Sequence, residues 1–258
     1  MRRLFSILVV ALSLNAGATT FSTDFSDLWW NASESGWGVN VIQQKGTLFA
    51  TMFVYGTSGQ PTWYVASDVA YVGNTNGAVQ FSGPLYQTSG PYFAGAFDPA
   101  AVGFRQVGQI GFTFTSTASG TLTYSVDGTN VTKSIVRQTW ADNDISGNYV
   151  GATVGTYAGC GTLSGYTVAP GVLSVTQTGS NVTLVAQTSD SCTYSGTYSQ
   201  SGRMGSINGT VSCFNGNSGT FQAFEIEAGI SGLAGRATTD LGGGCTWSGR
   251  FGGVRRDP

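Results

Sequence analysis

The sequence predicts an all-β protein with two antiparallel domains, each a small up-and-down barrel of about 7–8 strands. Three observations predict this class. Apolar and polar residues alternate over short segments, turn-forming residues recur at intervals of about 8–12 residues, and no segment keeps a helical period. A pair of β-sandwiches is the alternative that the same pattern allows.

The composition excludes several classes of protein. The 258 residues include 39 Gly and no His, and charged residues make up only 9% of the chain. Without His there is no Ser-His-Asp triad, no Cys-His pair and no His-ligated zinc. With 11 Lys+Arg against 13 Asp+Glu, the chain has no basic surface for nucleic acid. The 12% of aromatic residues predicts packed cores.

The beginning of the chain has the pattern of a secretory signal peptide. A basic start, Arg2-Arg3, precedes an apolar run over residues 4–14, and residues 16–18, Ala-Gly-Ala, offer a cleavage site. The run is shorter than the roughly 20 apolar residues that span a bilayer. We therefore predict that residues 1–18 are removed on export to the periplasm or the medium. The mature chain is predicted to have no transmembrane helix.

The two halves of the chain differ in composition. All four Cys lie after residue 150, and four of the six Trp lie before residue 70. The polar stretch at residues 141–144 is the best boundary between the halves. The prediction is a Trp-rich antiparallel β domain over residues 19–140 and a disulfide-bonded, eight-stranded barrel over residues 141–258. Each is large enough to form its own core.

Seven strands are predicted in the first domain. Ile110, Phe112 and Phe114 share one strand face, and Asp127-Gly128 marks a turn. The segment Gly83 to Ala101 contains three Pro, so it is predicted to be a long loop with a short strand. The predicted strands cover residues 37–43, 47–56, 61–71, 77–83, 104–116, 119–126 and 130–139.

Eight short strands are predicted in the second domain, the number at which an antiparallel sheet closes into a small barrel. Val182, Leu184 and Ala186 show the alternation clearly. The Gly-rich segment Gly155 to Gly171 is predicted to be a long loop over one rim, either a lid or a decorated edge. The predicted strands cover residues 146–153, 172–178, 181–187, 192–199, 203–213, 218–227, 230–238 and 245–254.

The four cysteines are predicted to form two disulfides, since the chain is predicted to be exported. Sequence alone allows three pairings. In an up-and-down barrel with these strands, all four cysteines fall at one rim. The hairpin of the fourth and fifth strands brings Cys192 near Cys213, and closure of the first strand on the eighth brings Cys160 near Cys245. The predicted pairs are Cys192–Cys213 and Cys160–Cys245.

The most unusual segment lies between residues 28 and 40 and contains three Trp, one acid and two Gly. Its run Glu34-Ser-Gly-Trp-Gly-Val-Asn40, followed by Leu48-Phe-Ala-Thr, Phe53-Val-Tyr55 and Gly59-Gln-Pro-Thr-Trp-Tyr64, resembles a module of uncharacterised exported proteobacterial proteins. The resemblance covers roughly residues 27–140. It implies secretion and a small β domain, and it carries over no catalytic residues.

Aromatic residues are the candidate ligand-binding residues. Trp29 and Trp30 are consecutive, so both cannot face one way on an extended chain. Trp37 and Trp63 lie at alternating strand positions, which favours the core. Exposed Trp rings would instead stack on sugars or flat apolar ligands. The full candidate set is Trp29, Trp30, Trp37, Trp63, Tyr64, Tyr157, Tyr166, Tyr194 and Trp247.

A short pattern occurs twice in the second domain. Cys192-Thr-Tyr-Ser-Gly-Thr-Tyr198 matches Cys245-Thr-Trp-Ser-Gly-Arg-Phe251, with Cys, Gly and two aromatics on one strand face. Core packing at a barrel bend is favoured over an aromatic-walled pocket. Together with Gly252-Gly-Val-Arg-Arg256, the second copy resembles avidin-like strands, which implies a calycin-like barrel layout.

Catalysis by carboxylates requires two acids across a cleft. Glu225 and Glu227 alternate along one predicted strand and share a face, which is expected to be the outer, solvated one. Glu34 and Asp68 are the other acids near aromatics. No metal site and no cofactor are predicted.

These observations favour an exported, non-catalytic protein that binds a small apolar ligand or a glycan through aromatic residues. A structural or adhesive interaction protein of the envelope is the alternative, and an acid-dependent hydrolase is the third candidate. The expected partner is a small molecule, a glycan or an envelope protein, and not nucleic acid.

Overall fold

A computed structural model describes residues 23–188 and 191–256. The predicted signal peptide, residues 1–18, lies outside the described residues. The described chain forms two closed antiparallel barrels of eight strands each, which confirms the predicted fold class. Within this part of the chain, no helix is both long enough and apolar enough to cross a membrane.

The first barrel is a closed meander in which each strand pairs with its neighbours in sequence and β1 pairs with β8. A 3₁₀ helix, Pro99–Ala101, lies between β5 and β6. The four-residue strand β1 was not predicted. The strands are β1 (Asp27–Trp30), β2 (Gly38–Gln44), β3 (Thr47–Tyr55), β4 (Pro61–Thr75), β5 (Ala78–Ser89), β6 (Gly103–Phe114), β7 (Ser119–Val126) and β8 (Thr129–Arg137).

The predicted loop from Gly83 to Ala101 is wrong in its first part, because β5 continues to Ser89. Pro84 lies inside this strand, opposite Gln109 of β6. On its other side the β4–β5 register is interrupted by a bulge between Val65 and Ala70. Pro84 therefore lies beside a break in the β4–β5 ladder, and strand prolines, which have no N–H, are found at such bulges.

The second barrel has the same connectivity and closes through pairing of β9 with β16. A 3₁₀ helix, Gly161–Leu163, lies between β9 and β10. The strands are β9 (Gly147–Ala158), β10 (Gly165–Thr178), β11 (Asn181–Gln187), β12 (Cys192–Ser201), β13 (Met204–Cys213), β14 (Ser218–Ala228), β15 (Gly232–Asp240) and β16 (Thr246–Arg255).

The predicted rim loop from Gly155 to Gly171 is also wrong. β9 and β10 stay paired as far as Tyr157 and Gly165, so only residues 159–164 connect them. The glycines that suggested a loop are strand residues that admit close neighbours. A Cβ on Gly155, for example, would lie 2.5 Å from the ring of Trp247.

Two disulfides join Cys160 to Cys245 and Cys192 to Cys213, the same pairs that the strand order predicts. Cys192 and Cys213 lie directly opposite each other on β12 and β13. The other bond links the segment after β9 to the residue before β16. Both bonds lie at the same end of the second barrel, which we call the Cys rim.

The two barrels meet through polar contacts at the end of the second barrel opposite the Cys rim. Asp27 forms an ion pair with the buried side chain of Arg137 (2.9 Å) and accepts a hydrogen bond from the backbone N–H of Arg203 (3.0 Å). The neighbouring Gly202 has φ +58°, and a Cβ there would lie 2.2 Å from Asp27 Oδ2. The β12–β13 turn of the second barrel therefore packs against the end of the first.

Candidate functional site

The second barrel encloses a cavity of about 320 Å³ that reaches the Cys rim. All eight strands contribute to its lining, and Cys192 and Cys213 form part of the wall. The volume lies at the lower end of the range for small-molecule sites, roughly 300–1,000 Å³. An interior of this kind is a candidate ligand site because it is concave and formed by a closed sheet.

The cavity exists because small residues occupy inward positions on adjacent strands. Gly151 of β9 pairs with Gly171 of β10 on one side and with Gly253 of β16 on the other. Across the barrel, Ala223 of β14 pairs with Ala237 of β15. An eight-stranded barrel has just enough interior for side chains to fill. Glycine and alanine at these positions leave its centre unfilled by side chains.

Trp247 forms part of the wall at the Cys rim. Its indole lies over Gly155 and Gly249, where an added Cβ would lie 2.5 Å and 2.7 Å from the ring. Trp247 is directly opposite Tyr157 on the neighbouring strand. The two glycines thus have a specific role, since they let a large ring lie flat along the inner wall.

Tyr194 is a second aromatic member of the wall. Its ring packs edge to face against Phe221, with the ring centroids 5.0 Å apart. Burial, with a smaller contribution from Tyr157, raises the pKa of Tyr194 to about 12. No described residue forms a hydrogen bond with its hydroxyl. In the described part of the chain, every side-chain N or O atom that is inaccessible to solvent has a hydrogen-bond partner, so this hydroxyl is accessible. The hydroxyl is therefore a protonated group that a ligand in the cavity can reach.

Among the residues that the structure describes, the lining contains no Asp, Glu, Lys or Arg. Its polar side chains are those of Thr, Tyr and Trp, among them Thr153, Thr167, Thr188 and Thr239. Burying an unpaired charge in such a site costs far more than burying a neutral group. The cavity is suited to an uncharged molecule with few polar groups.

The opposite end of the second barrel is closed by a packed core. Tyr149 is buried at the cavity floor, where its hydroxyl donates to Ile145 O (2.9 Å) and accepts from Arg255 Nη2 (2.8 Å). Below it lie buried apolar residues, including Ile145, Val182, Ile207 and Ile226. The cavity therefore ends inside the barrel and does not run through it.

Three of the predicted ligand-binding residues come together in this cavity: Tyr157, Tyr194 and Trp247. Tyr194 and Trp247 come from the two copies of the repeated Cys-aromatic-Gly-aromatic pattern. The pattern therefore contributes to the cavity wall as well as to packing. Tyr166 belongs to the same barrel but is 71% exposed and does not contribute to the lining.

The predicted residues of the first domain do not reach the cavity. Trp29 is fully buried in the first core, where its Nε1 donates to Phe25 O (2.9 Å), and Trp30 is half-buried. The expectation that Trp63 belongs to the core is wrong, since it is 51% exposed. A register shift in β4 between Ala66 and Val69 inverts the alternation. Inward-facing residues have even numbers before the shift and odd numbers after it, so Trp63 faces outward.

Trp37 and Tyr64 pack against the first core from the end of the barrel that faces away from the second. Trp37 Nε1 donates to Glu34 Oε2 (3.0 Å), and Lys133 Nζ donates to the same oxygen (2.6 Å). The bond from Lys133 is the main cause that lowers the pKa of Glu34. Glu34 is therefore an ion-pair partner in this structure.

The candidate acid pair Glu225 and Glu227 does not alternate as predicted, because β14 has a bulge between Phe224 and Glu227. Glu225 sits at φ +53°, and its side chain, 9% exposed, contacts Thr23 and Arg236. Glu227 pairs instead with Arg203. Within residues 23–188 and 191–256, no group of three or more potential ligands could hold a metal ion.

Several cavity residues were missed by sequence analysis, including Thr153, Ala169, Ala223 and Ala237. The signal that could have found them is position. They lie on the inner faces of the barrel strands, but small side chains have no binding signature of their own. No protein-family model, no curated protein and no solved structure matches this chain significantly.

Proposed function

We propose that this protein binds a small, uncharged and largely apolar molecule inside its second barrel, without catalysing a reaction. The observation that carries the proposal is the cavity of about 320 Å³, whose described lining residues include no charged side chain. Apolar walls with a few placed polar groups are typical of small-molecule sites. The hydroxyl of Tyr194 and the indole of Trp247 are the polar groups that orient the ligand.

The lining favours an apolar ligand over a glycan. A sugar presents many hydroxyls, and each buried one needs a partner. The part of the lining that the structure describes offers Thr and Tyr hydroxyls but no Asn, Gln, Asp, Glu or Arg side chain. Trp247 lies along the wall, where its indole stacks on a flat ring of the apolar ligand.

The protein acts after export, in the periplasm or the medium. The signal-like pattern of residues 1–18 supports this location, and so do the two disulfides, which persist in oxidising compartments. The resemblance of residues 27–140 to a module of exported proteobacterial proteins points the same way.

The test is a pair of fluorescent probes with nearly the same rings. N-phenyl-1-naphthylamine is neutral, whereas anilinonaphthalene sulfonate carries a negative charge. Titration of the oxidised protein should show saturable fluorescence enhancement with the neutral probe. The anionic probe should bind about tenfold more weakly or worse, because its charge would be buried without a partner.

Two Trp variants locate the binding. Trp247→Ala should weaken binding of the neutral probe by about tenfold, since the ring supplies a large contact area. Trp63→Ala removes an exposed ring from the first barrel and should leave the affinity unchanged. Circular dichroism checks that both variants are folded. Equal binding of the two probes, or unchanged binding by folded Trp247→Ala, would contradict the proposal.

A further inference from the structure

The β5–β6 connection carries an exposed aromatic surface that the cavity does not explain. We call residues 90–104 the β5–β6 tip. Its large apolar side chains are among the most exposed in the molecule, with Phe93 at 92% and Phe104 at 76%. Tyr92, Phe97 and Val102 are exposed as well. Soluble proteins rarely leave so many large apolar side chains together in water without a partner.

The tip projects from the end of the first barrel. β5 and β6 remain paired through Ser89 and Gly103. Towards this end of the barrel, β4 pairs with β5 only as far as Tyr86, and β7 pairs with β6 only as far as Ile110. The tip therefore extends past its neighbours, at the end of the first barrel that faces away from the second.

The tip has almost no polar side chains. Between Gly90 and Phe104 the only charged residue is Asp98, whose Oδ1 accepts from the backbone N–H of Ala100 (2.9 Å) and caps the 3₁₀ helix. At the base of the tip, Arg105 is neutralised by an ion pair with Asp127. Protein interfaces surround their apolar centre with hydrogen-bonding groups and are rich in Arg. Residues 90–104 themselves contain no Arg and few hydrogen-bonding side chains.

Part of the backbone of the tip is satisfied from within. The N–H groups of Gly95, Ala101 and Val102 bond to carbonyls of the same loop. Pro91 and Pro99 have no N–H.

The other N–H groups of the loop, such as those of Phe93 and Phe97, have no partner among the described residues. The hydrated headgroup boundary of a bilayer supplies water to such groups, whereas the hydrocarbon interior does not. An aromatic surface with a single charged side chain matches an apolar, non-directional partner at that boundary.

We infer that the β5–β6 tip inserts into the interface of a lipid bilayer. Exposed Phe side chains enter the boundary between headgroups and acyl chains, and the Tyr92 hydroxyl stays near the headgroups. With the tip in the bilayer, the Cys rim and its cavity lie at the opposite end of the molecule, in water. This inference does not depend on the ligand proposed for the second barrel.

Flotation with phosphatidylcholine vesicles tests the inference on the full, oxidised protein. The protein should float with the vesicles at both low and high salt, since no net charge drives the contact. The double variant Phe93→Ser/Phe97→Ser should lose vesicle binding by about tenfold or more, because two buried rings are removed from the lipid. Failure of the unaltered protein to float, or loss of binding at high salt, would overturn the inference.

Phe214→Ser is the matched control. Phe214 is 94% exposed but lies in the β13–β14 turn at the Cys rim, so its removal should leave vesicle binding unchanged. Equal losses in both variants would overturn the inference. Sedimentation velocity distinguishes a protein partner. Self-association that disappears in Phe93→Ser/Phe97→Ser, without vesicle binding, would show that the tip contacts a second copy instead.

Discussion

The two barrels have the same strand number and the same order of strands, but their interiors differ. In the first, Phe114 stacks on Phe25 with ring centroids 4.1 Å apart and lies 4.8 Å from Trp29. In the second, the inward positions of neighbouring strands hold Gly151 and Gly171. The first interior is filled by aromatic rings, and the second encloses a cavity.

The difference shows that closure of the sheet and filling of its interior are separate properties. Backbone hydrogen bonds close both barrels regardless of which side chains point inward. Side-chain volume alone then determines whether the interior is a core or a cavity. In the second barrel a packed core around Ile145 and Ile207 closes the end next to the first barrel.

The disulfides fit the same comparison. Both lie at the Cys rim, where the interior contributes the least packing, and the first barrel has no cysteine. Covalent bonds stabilise a fold that buries too little apolar surface. The second barrel thus combines a hollow end with a covalently fixed rim.

The largest expected effect follows from removing the bond that joins the first and last strands of the second barrel. Cys160→Ser/Cys245→Ser opens a loop of 85 residues and should cost about 4–5 kcal/mol of unfolding free energy. Cys192→Ser/Cys213→Ser, with a separation of 21, should cost about 3 kcal/mol. Urea denaturation measures both, and a larger loss for the second variant would contradict the account.

Core truncation should show that the two interiors differ. Phe114→Ala removes a fully buried ring of the first barrel and should cost about 3–5 kcal/mol. Phe251→Ala removes a ring of the second barrel that borders the cavity and should cost about half as much. Equal costs in urea denaturation would mean that both interiors are equally packed.

Alkaline pH should weaken the second barrel through two tyrosines. Burial raises the pKa of Tyr194 and Tyr198 to about 12, against 10.0 in the unfolded chain. Below pH 10 both states are protonated. From pH 10 to 12 the unfolded state ionises first, so stability falls as pH rises, by about 2–3 kcal/mol per tyrosine at most. Urea midpoints measured across this range report the loss.

Tyr194→Phe/Tyr198→Phe provides the control for the pH effect. The variant lacks both phenol groups, so its stability should fall less steeply above pH 10 than that of the unaltered protein. An identical pH dependence in the two proteins would show that these tyrosines do not contribute.

The smallest effect on stability is expected from filling the cavity. Ala237→Leu places a larger side chain in the cavity and should change the unfolding free energy by less than about 1 kcal/mol. It should nevertheless weaken binding of N-phenyl-1-naphthylamine by about tenfold. Ala234→Leu, on the exposed face of the same strand, is the matched control and should bind normally. Normal binding by Ala237→Leu would place the probe elsewhere.

Period-two alternation and turn spacing were enough to predict most strands. The alternating direction of successive strands in an up-and-down barrel was enough to predict the cysteine pairs. The predictions that were wrong have identifiable structural causes. Pro84 and Gly155 suggested loops because a sequence does not show the bulge or the neighbouring ring that makes each a suitable strand residue. Trp63 and Glu225 were misplaced because bulges invert the alternation within a strand.

The cavity itself could be predicted only through its aromatic wall. Tyr194 and Trp247 are visible in the sequence as large residues on one strand face, whereas Tyr157 was a candidate within a predicted rim loop. The empty centre is set by Gly and Ala residues, which in this chain are common everywhere and become informative only once strands are aligned across the barrel.

The most direct test of a filled first barrel and a ligand-binding second barrel is an NMR titration of the oxidised protein with N-phenyl-1-naphthylamine. Amide shifts should cluster on cavity residues such as Ala169 and Ala237, together with the indole N–H of Trp247. The first barrel should be unaffected. Shifts centred on the exposed first-barrel pair Phe53 and Trp63, or none at saturating probe, would contradict the account.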